Sequence, residues 1–251
     1  MLLHRLRAVN TAPESENKIH DDCIAAAYGF RGGLVPGVTV YGYMTLPALE
    51  YFGETWLEQG GMSVRFKSPV YDGEEIAIQG ESSVDCRLAI TIEGRAVASA
   101  WLNEAGSETP EGLEARKLPP HDARPPASHE SLAQGVVFGT LVKTLGPEDR
   151  PISAPLPSTV GTSSIVHPAR MLALSNEVLM SNVVLGPWIH ASSEVANHAT
   201  VHEGETVTVR ACVAERFERK GNEFAVLDVV LGAAGRVVQT VRHTVIWRLR
   251  V

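Results

Sequence analysis

The chain reads as an α+β protein built twice over, each half an antiparallel sheet wrapped around one buried helix. Two observations predict this: a faint internal repeat at constant offset, and the same order of one apolar helix followed by period-two strands in both halves. The repeat aligns "PVYDGEEIAI" (69–78) with "TVHEGETVTV" (200–209), placing Gly73 on Gly204, an offset of 131 residues (204 − 73). The same offset carries Glu74 onto Glu205, Ile76 onto Val207 and Val35-Pro36 onto Val166-His167, just ahead of the longest helical segment of each half. Two separated anchors sharing one offset are the signature of duplication.

The first half runs from residue 1 to 106. Its helix is "PGVTVYGYMTLPALEYFGETWLEQ", where Val38, Tyr41, Met44, Leu49 and Phe52 place apolar side chains on nearly every side. That pattern belongs to a helix buried all round, which Gly42 and Pro47 should loosen or kink. Alternating runs follow: Met62, Val64, Phe66; Ile76, Ile78; Leu88, Ile90, Ile92; and a last one ending at Trp101. Apolar residues with period two between turns such as Asp72-Gly73 and Glu93-Gly94 predict antiparallel strands. From 107 to 132 the text is proline-rich and loses both periods, as expected of a linker or long surface loop. The second half, 133–251, has its helix in "HPARMLALSNEVLMSN" and strands in "PWIHASSEVANH", "GETVTVRACVAERF", "NEFAVLDVVLG" and "RVVQTVRHTVIWRLR". A lone sheet must cover its apolar face, and the available cover is the single helix of each half.

Composition narrows the function. The formal charge of −7 gives no basic field for phosphate backbones, so nucleic acid is not an expected partner. No apolar run reaches the roughly 18 residues of a membrane span, and "MLLHRLRAVN" interrupts its apolar pattern with His4, Arg5 and Arg7, so a cytoplasmic protein without a membrane partner is expected. Cys23, Cys86 and Cys212 are too far apart for a zinc knuckle and odd in number, and are expected to be small core residues; no metal and no cofactor is indicated.

One stretch asks for chemistry: "SENKIHDD", Ser15 to Asp22, just before "YGFRGGLVPG". With "NKIHDD" ahead of the buried helix and "FKSPVYDGE" behind it, the chain resembles the hotdog fold, and more narrowly the MaoC-like, R-specific enoyl-CoA hydratase family in its fused double-hotdog form. The family's first motif is an aspartate, a variable residue, Asn-Pro, an aliphatic residue and a histidine, usually followed by an acid. Asn17, Ile19, His20 and Asp22 match it, while Lys18 replaces the proline and Ser15 stands at the aspartate. The second motif, small-His-Gly at the helix start, is Val35-Pro36-Gly37 here: the glycine is kept and the histidine lost. The resemblance implies a hydratase or dehydratase acting on an acyl-CoA or acyl-carrier thioester, with His20, Asn17 and Ser15 in the catalytic positions and a homodimer as a further expectation.

The residues give the same chemistry a physical basis. Hydration of an enoyl thioester needs a base of near-neutral pKa to deliver water, which a histidine such as His20 supplies. It also needs donors where the thioester oxygen gains charge, and backbone N–H groups at a helix start such as Gly37 supply those. Gly33, Pro36 and Gly37 would let the thioester come close to the backbone. Two plainer readings stand beside these. Asn17 or Ser15 would cap a short helix, leaving His20 solvated, and "RGGLVPG" would be only a turn. A thioesterase using Asp22 or Glu50, and a non-catalytic acyl-thioester binder, are the alternative functions. Elsewhere, His190 and His198 lie on a predicted strand, where a separation of eight residues puts both on the same face.

Overall fold

The computed structural model describes residues 1–83, 85–103, 113–147 and 164–250. Among these residues ten strands form one sheet in the order β1-β3-β4-β5-β2-β7-β10-β9-β8-β6. Five come from the first half: β1 (Leu2–Arg7), β2 (Gly60–Phe66), β3 (Glu75–Ser82), β4 (Leu88–Ile92) and β5 (Ala96–Leu102). Five come from the second: β6 (Leu141–Thr144), β7 (Ile189–Asn197), β8 (Thr206–Arg219), β9 (Asn222–Ala233) and β10 (Arg236–Arg248). The halves join where β2 pairs antiparallel with β7. The edge strands β1 and β6 were not expected from periodicity; they are short, and each pairs along one side only.

Register explains which face is apolar. Across the seam Val64 lies opposite Ser193, which lies opposite His243 and then Leu227; in the other direction Val64 faces Ala98 and then Ile90. One continuous face therefore carries the buried side chains of both halves, since alternate residues of every strand point the same way. Against it pack α2 (Gly37–Phe52) and α4 (Pro168–Asn182), which also touch each other. The α2 helix runs through Pro47 without interruption, its Tyr41, Tyr43, Met44, Ala48 and Leu49 fully buried. Two short helices precede and follow it in the chain, α1 (Asp22–Ala27) and α3 (Thr55–Gln59), of which α3 packs on α2.

The 131-residue repeat is structural. Gly73 and Gly204 both take positive φ (72° and 89°), the left-handed conformation that a tight turn demands and glycine adopts at least cost. The isolated bridges Leu34↔Tyr71 and Ile165↔His202 are related by the same offset. So are the bonds from Val35 N–H to Val70 O (2.9 Å) and from Val166 N–H to Val201 O (2.8 Å), and the helix starts Gly37 and Pro168.

Of the expected connector, 107–112 lie outside the described residues. Residues 113–132 contain no strand and are largely exposed, with one 3-10 turn at His121–Ala123. This segment is nonetheless tied down: Arg124 donates to Met180 O (2.6 Å) and pairs with Glu16 (3.2 Å), and Leu132 is fully buried. The cysteine expectation is corrected, for Cys23 and Cys86 are exposed. Cys23 lies on α1, whose single buried residue is Ala25, and Cys86 sits at positive φ in the turn between β3 and β4.

Candidate functional site

The site begins with backbone zippering. Leu34 N–H donates to Ile19 O (3.2 Å), and Gly33 N–H donates to the Asp22 carboxylate (2.7 Å). Asn10 Nδ2 donates to His20 O (2.8 Å), fixing the histidine's own carbonyl. The Leu34 carbonyl then lies 2.7 Å from His20 Nδ1. A carbonyl only accepts, so Nδ1 carries the proton and Nε2 is the basic nitrogen. Burial lowers the His20 pKa from its ordinary 6.5, opposed in part by the Leu34 bond. The ring is therefore a neutral base at neutral pH.

Asn17 caps the 3-10 turn at Lys18–His20 and also does something a cap alone does not. Its Oδ1 accepts from Trp188 N–H (3.1 Å) and its Nδ2 donates to Trp188 O (3.0 Å), 171 residues away. This two-pronged bond to the start of β7 clamps the His20 loop onto the second half. It also sets the amide so that Nδ2 faces His20 Nε2 at 3.4 Å.

A cavity of about 210 Å³ opens beside His20. Its walls come from both halves: Asn17, His20, Leu34, Phe66 and Val70 on one side, Asn176, Trp188, His190 and Ile246 on the other. Its floor is the start of α2, with Pro36, Gly37 and Val40. Pro36 provides no side-chain cap, and among the described residues neither the Gly37 nor the Val38 N–H has a hydrogen-bond partner. The free N–H of Gly37 thus lies at the cavity floor, where anionic oxygen is favoured. Gly37 is required there by space: a Cβ would lie 2.8 Å from His190 Nδ1 and 3.1 Å from His190 Cβ.

His20, Asn17, Pro36 and Gly37 are therefore brought together, whereas Ser15 and Gly33 do not line the cavity. The Ser15 hydroxyl donates to Asn17 O (3.1 Å) within its own loop. A Cβ at Gly33 would lie 2.1 Å from His20 O, so this glycine allows the loop to close rather than admitting a ligand. No carboxylate among the described residues lies within ion-pair distance of His20. Glu16 is held by His121 and Arg124, which lower its pKa; Asp22 is held by Gly33; and Glu50 pairs with His4 (2.8 Å) on β1. A wider groove of about 670 Å³ over β1 and β3 is lined by the ion pairs Arg7–Glu75 and Arg95–Glu74, so its charges already balance locally.

Sequence reasoning gave His190 little weight and missed Trp188 and Asn176, because all three reach the cavity only through tertiary packing. The expectation for His190 and His198 is corrected by a β-bulge. Val245 pairs with His190 and Thr244 with Ser192, skipping Ala191, which reverses the parity of β7. His190 and Ser193 consequently both face inward, while His198 bonds to the Thr240 hydroxyl (3.0 Å), whose strand position pairs with outward Ala196. His190 is only 6% exposed. Burial pushes its pKa well below 6.5, nearby His243 adds to this, and the Ser192 backbone opposes it.

With this geometry in hand, solved structures supply the comparison. A conserved Mycobacterium tuberculosis protein described as having a double hotdog fold superposes with TM-score 0.63 at 12% identity, covering 98% of this chain and 95% of its own. A Chloroflexus aurantiacus protein described as a MaoC domain dehydratase gives 0.60 at 11%, covering 99% and 94%. The chain has the double hotdog fold. A Lactobacillus plantarum protein described as an oleoyl thioesterase also matches, with TM-score 0.52 at 11% identity over 99% and 96%. Within the double hotdog the buried helices are α2 and α4. No protein-family model matches the sequence, and no curated protein is significantly similar to it.

Proposed function

We propose that the protein is an acyl-thioester hydratase or dehydratase, a hydro-lyase acting on an enoyl or 3-hydroxyacyl thioester. The observation that supports it is one largely apolar cavity lined by both a neutral histidine with its basic nitrogen free of a carboxylate and Gly37, whose N–H at the helix start has no partner among the described residues. In this reading the thioester oxygen sits on the Gly37 N–H, and water lies between His20 Nε2 and the β-carbon. His20 removes one proton from water as the oxygen adds to the β-carbon, charge collects on the thioester oxygen, and the α-carbon takes the proton back from His20. Asn17 is a positioning residue that holds the His20 loop on β7. Ser15, Gly33 and Pro36 shape that loop and the helix start. The cavity volume of about 210 Å³ favours a short acyl chain, since pockets for larger ligands run to about 300–1,000 Å³.

Dehydratase and thioesterase descriptions both occur among the structural neighbours, so the competing reactions are hydrolysis and simple binding. Hydrolysis by Asp22 or Glu50 is disfavoured because neither carboxylate lines the cavity. A non-catalytic binder is favoured by one observation, the Ser15 hydroxyl turned into its own loop where a carboxylate would be needed to assist His20. The test uses crotonyl-CoA and follows three signals: enoyl absorbance, free thiol release and calorimetric binding. Loss of absorbance without thiol release supports the hydratase. Thiol release establishes the thioesterase, and heat of binding without either establishes the binder. The division into 1–106, 107–132 and 133–251, a cytoplasmic location and a homodimer belong to the same proposal; light scattering at the mass of a single chain at micromolar concentration would contradict the dimer.

A further inference from the structure

From His190, which lines the same cavity as His20, runs a row of three buried polar groups that the reaction above does not use. His190 Nε2 is 2.7 Å from Ser193 Oγ, and that hydroxyl is 2.9 Å from His243 Nδ1. The two imidazoles lie 4.3 Å apart, and Phe66 packs its edge on His190 at 4.9 Å. His190 is 6% exposed and His243 fully buried. At the two ends of this row, His190 Nδ1 and His243 Nε2 have no hydrogen-bond partner among the described residues. Buried polar atoms are nearly always paired, so two at the ends of one network require an explanation.

Proton counting supplies it. Ser193 has one proton to donate, and keeping that proton within the row means that one histidine donates to Oγ while the other accepts from it. In one arrangement His190 presents a bare nitrogen beside Gly37 and His243 buries an N–H with no acceptor. In the other, His243 Nδ1–H donates to Oγ, the hydroxyl donates to His190 Nε2, and His190 keeps its proton on Nδ1, against Gly37. Each arrangement leaves one N–H and one lone pair unpaired, and the unpaired N–H is the costlier of the two; His190 lines the cavity and His243 does not, so the second arrangement is the one in which a bound oxygen can satisfy that N–H. It places a neutral donor beside the open N–H of Gly37, close enough that a Cβ on that residue would meet it at 2.8 Å.

Resting on the function proposed above, we infer that His190 Nδ1–H is a second hydrogen-bond donor to the thioester carbonyl oxygen, acting with the Gly37 N–H, and that Ser193 and His243 are positioning residues that fix its tautomer. The donors then come from both halves of the chain: a helix start in the first and a bulged strand in the second. This gives the bulge a use, because without it Ser193 and His190 would point to opposite faces.

The test is isotope-edited infrared spectroscopy of carbonyl-labelled butyryl-CoA, a saturated thioester that binds but cannot be hydrated. Bound to the wild type, its carbonyl stretch should move to lower frequency; His190→Phe should reverse a large part of that shift, and Ser193→Ala a smaller part. In crotonyl-CoA hydration, His190→Phe should lower kcat by about 10²–10³-fold, the usual loss of one oxyanion donor, with KM changed far less. Should His190→Phe fail to fold, nitrogen-15 NMR of histidine-labelled wild type decides: His190 Nδ1 should be protonated, and its proton should shift when butyryl-CoA is added. Wild-type hydration with an unshifted carbonyl, or with Nδ1 unprotonated, overturns the inference and leaves the proposed function standing. Absence of butyryl-CoA binding by the wild type overturns both.

Discussion

The two helix starts of this duplicated fold occupy equivalent places and have opposite characters. At α2 the first helical residue is Gly37, the N-cap Pro36 offers no side-chain bond, and a cavity of about 210 Å³ lies open beside it. At α4 the first helical residue is Pro168, which has no N–H, and His167 Nδ1 accepts from Ala169 N–H at 3.0 Å. The cavity there, beside Pro168, Met171 and Gln239, shrinks to about 20 Å³. Backbone geometry is shared, as the matched Val35–Val70 and Val166–Val201 bonds show. The lesson is that two side-chain changes suffice to separate a potential oxyanion site from a self-capped one: glycine against proline at the first turn, and proline against histidine before it. The second half keeps its helix as cover and contributes to the site through β7 instead.

The comparison breaks most completely at Gly37. Gly37→Val should fill the cavity floor and drive a branched side chain into His190, abolishing acyl-CoA binding in calorimetry, whereas Pro168→Val at the equivalent place should leave binding unchanged. Retained binding in Gly37→Val would show that the α2 start is not the site. Next in size is the cap at the other end of the comparison. His167→Ala should lower stability by about 1–2 kcal/mol, the loss of an N-cap, read from the denaturant midpoint, with no change in turnover.

Acid sharpens the same contrast. Burial lowers the pKa of His167 to about 4 and of His243 to about 3, from 6.5 unfolded. Above 6.5 both are neutral in either state and contribute no pH dependence. Below 6.5 the unfolded chain takes up protons that the folded chain refuses, so stability should fall by about 1.4 kcal/mol per pH unit for each such histidine until its folded pKa is reached. Chemical denaturation at pH 7 and pH 5 checks this, and equal midpoints would contradict it. For His20 the shift is also downward, so the acid limb of kcat/KM should lie below pH 6.5 rather than above it. The smallest effect is expected at Ser15. Replacing its hydroxyl by a carboxylate in Ser15→Asp removes the bond to Asn17 O and should cost about 1 kcal/mol in thermal denaturation. A rise in hydration by this variant would show that the loop lets position 15 reach His20.

The fold was legible in the sequence because its determinants are local and occur twice. A positive-φ glycine after a polar residue, an apolar helix and period-two strands each leave a mark within about ten residues. The His20 loop was legible by resemblance, and its relation to Gly37 followed from their closeness in the chain. The other wall of the cavity was not. Asn17 meets Trp188 across 171 residues, and the inward turn of His190 depends on a bulge at Ala191 that no turn residue announces. Nor does periodicity mark β1 and β6, whose alternation is short and half exposed. What escaped is what depends on contacts between halves rather than within them.

The central claim is that His20 and the open start of α2 form one thioester-processing site, and crotonyl-CoA hydration by the wild type and His20→Ala tests it most directly. Measured side by side with circular dichroism to confirm equal folding, the wild type should consume enoyl absorbance without releasing thiol, and His20→Ala should be slower by about 10²–10⁴-fold, the usual contribution of a positioned base. Wild-type hydration that survives unchanged in His20→Ala would contradict the claim and place the catalyst elsewhere.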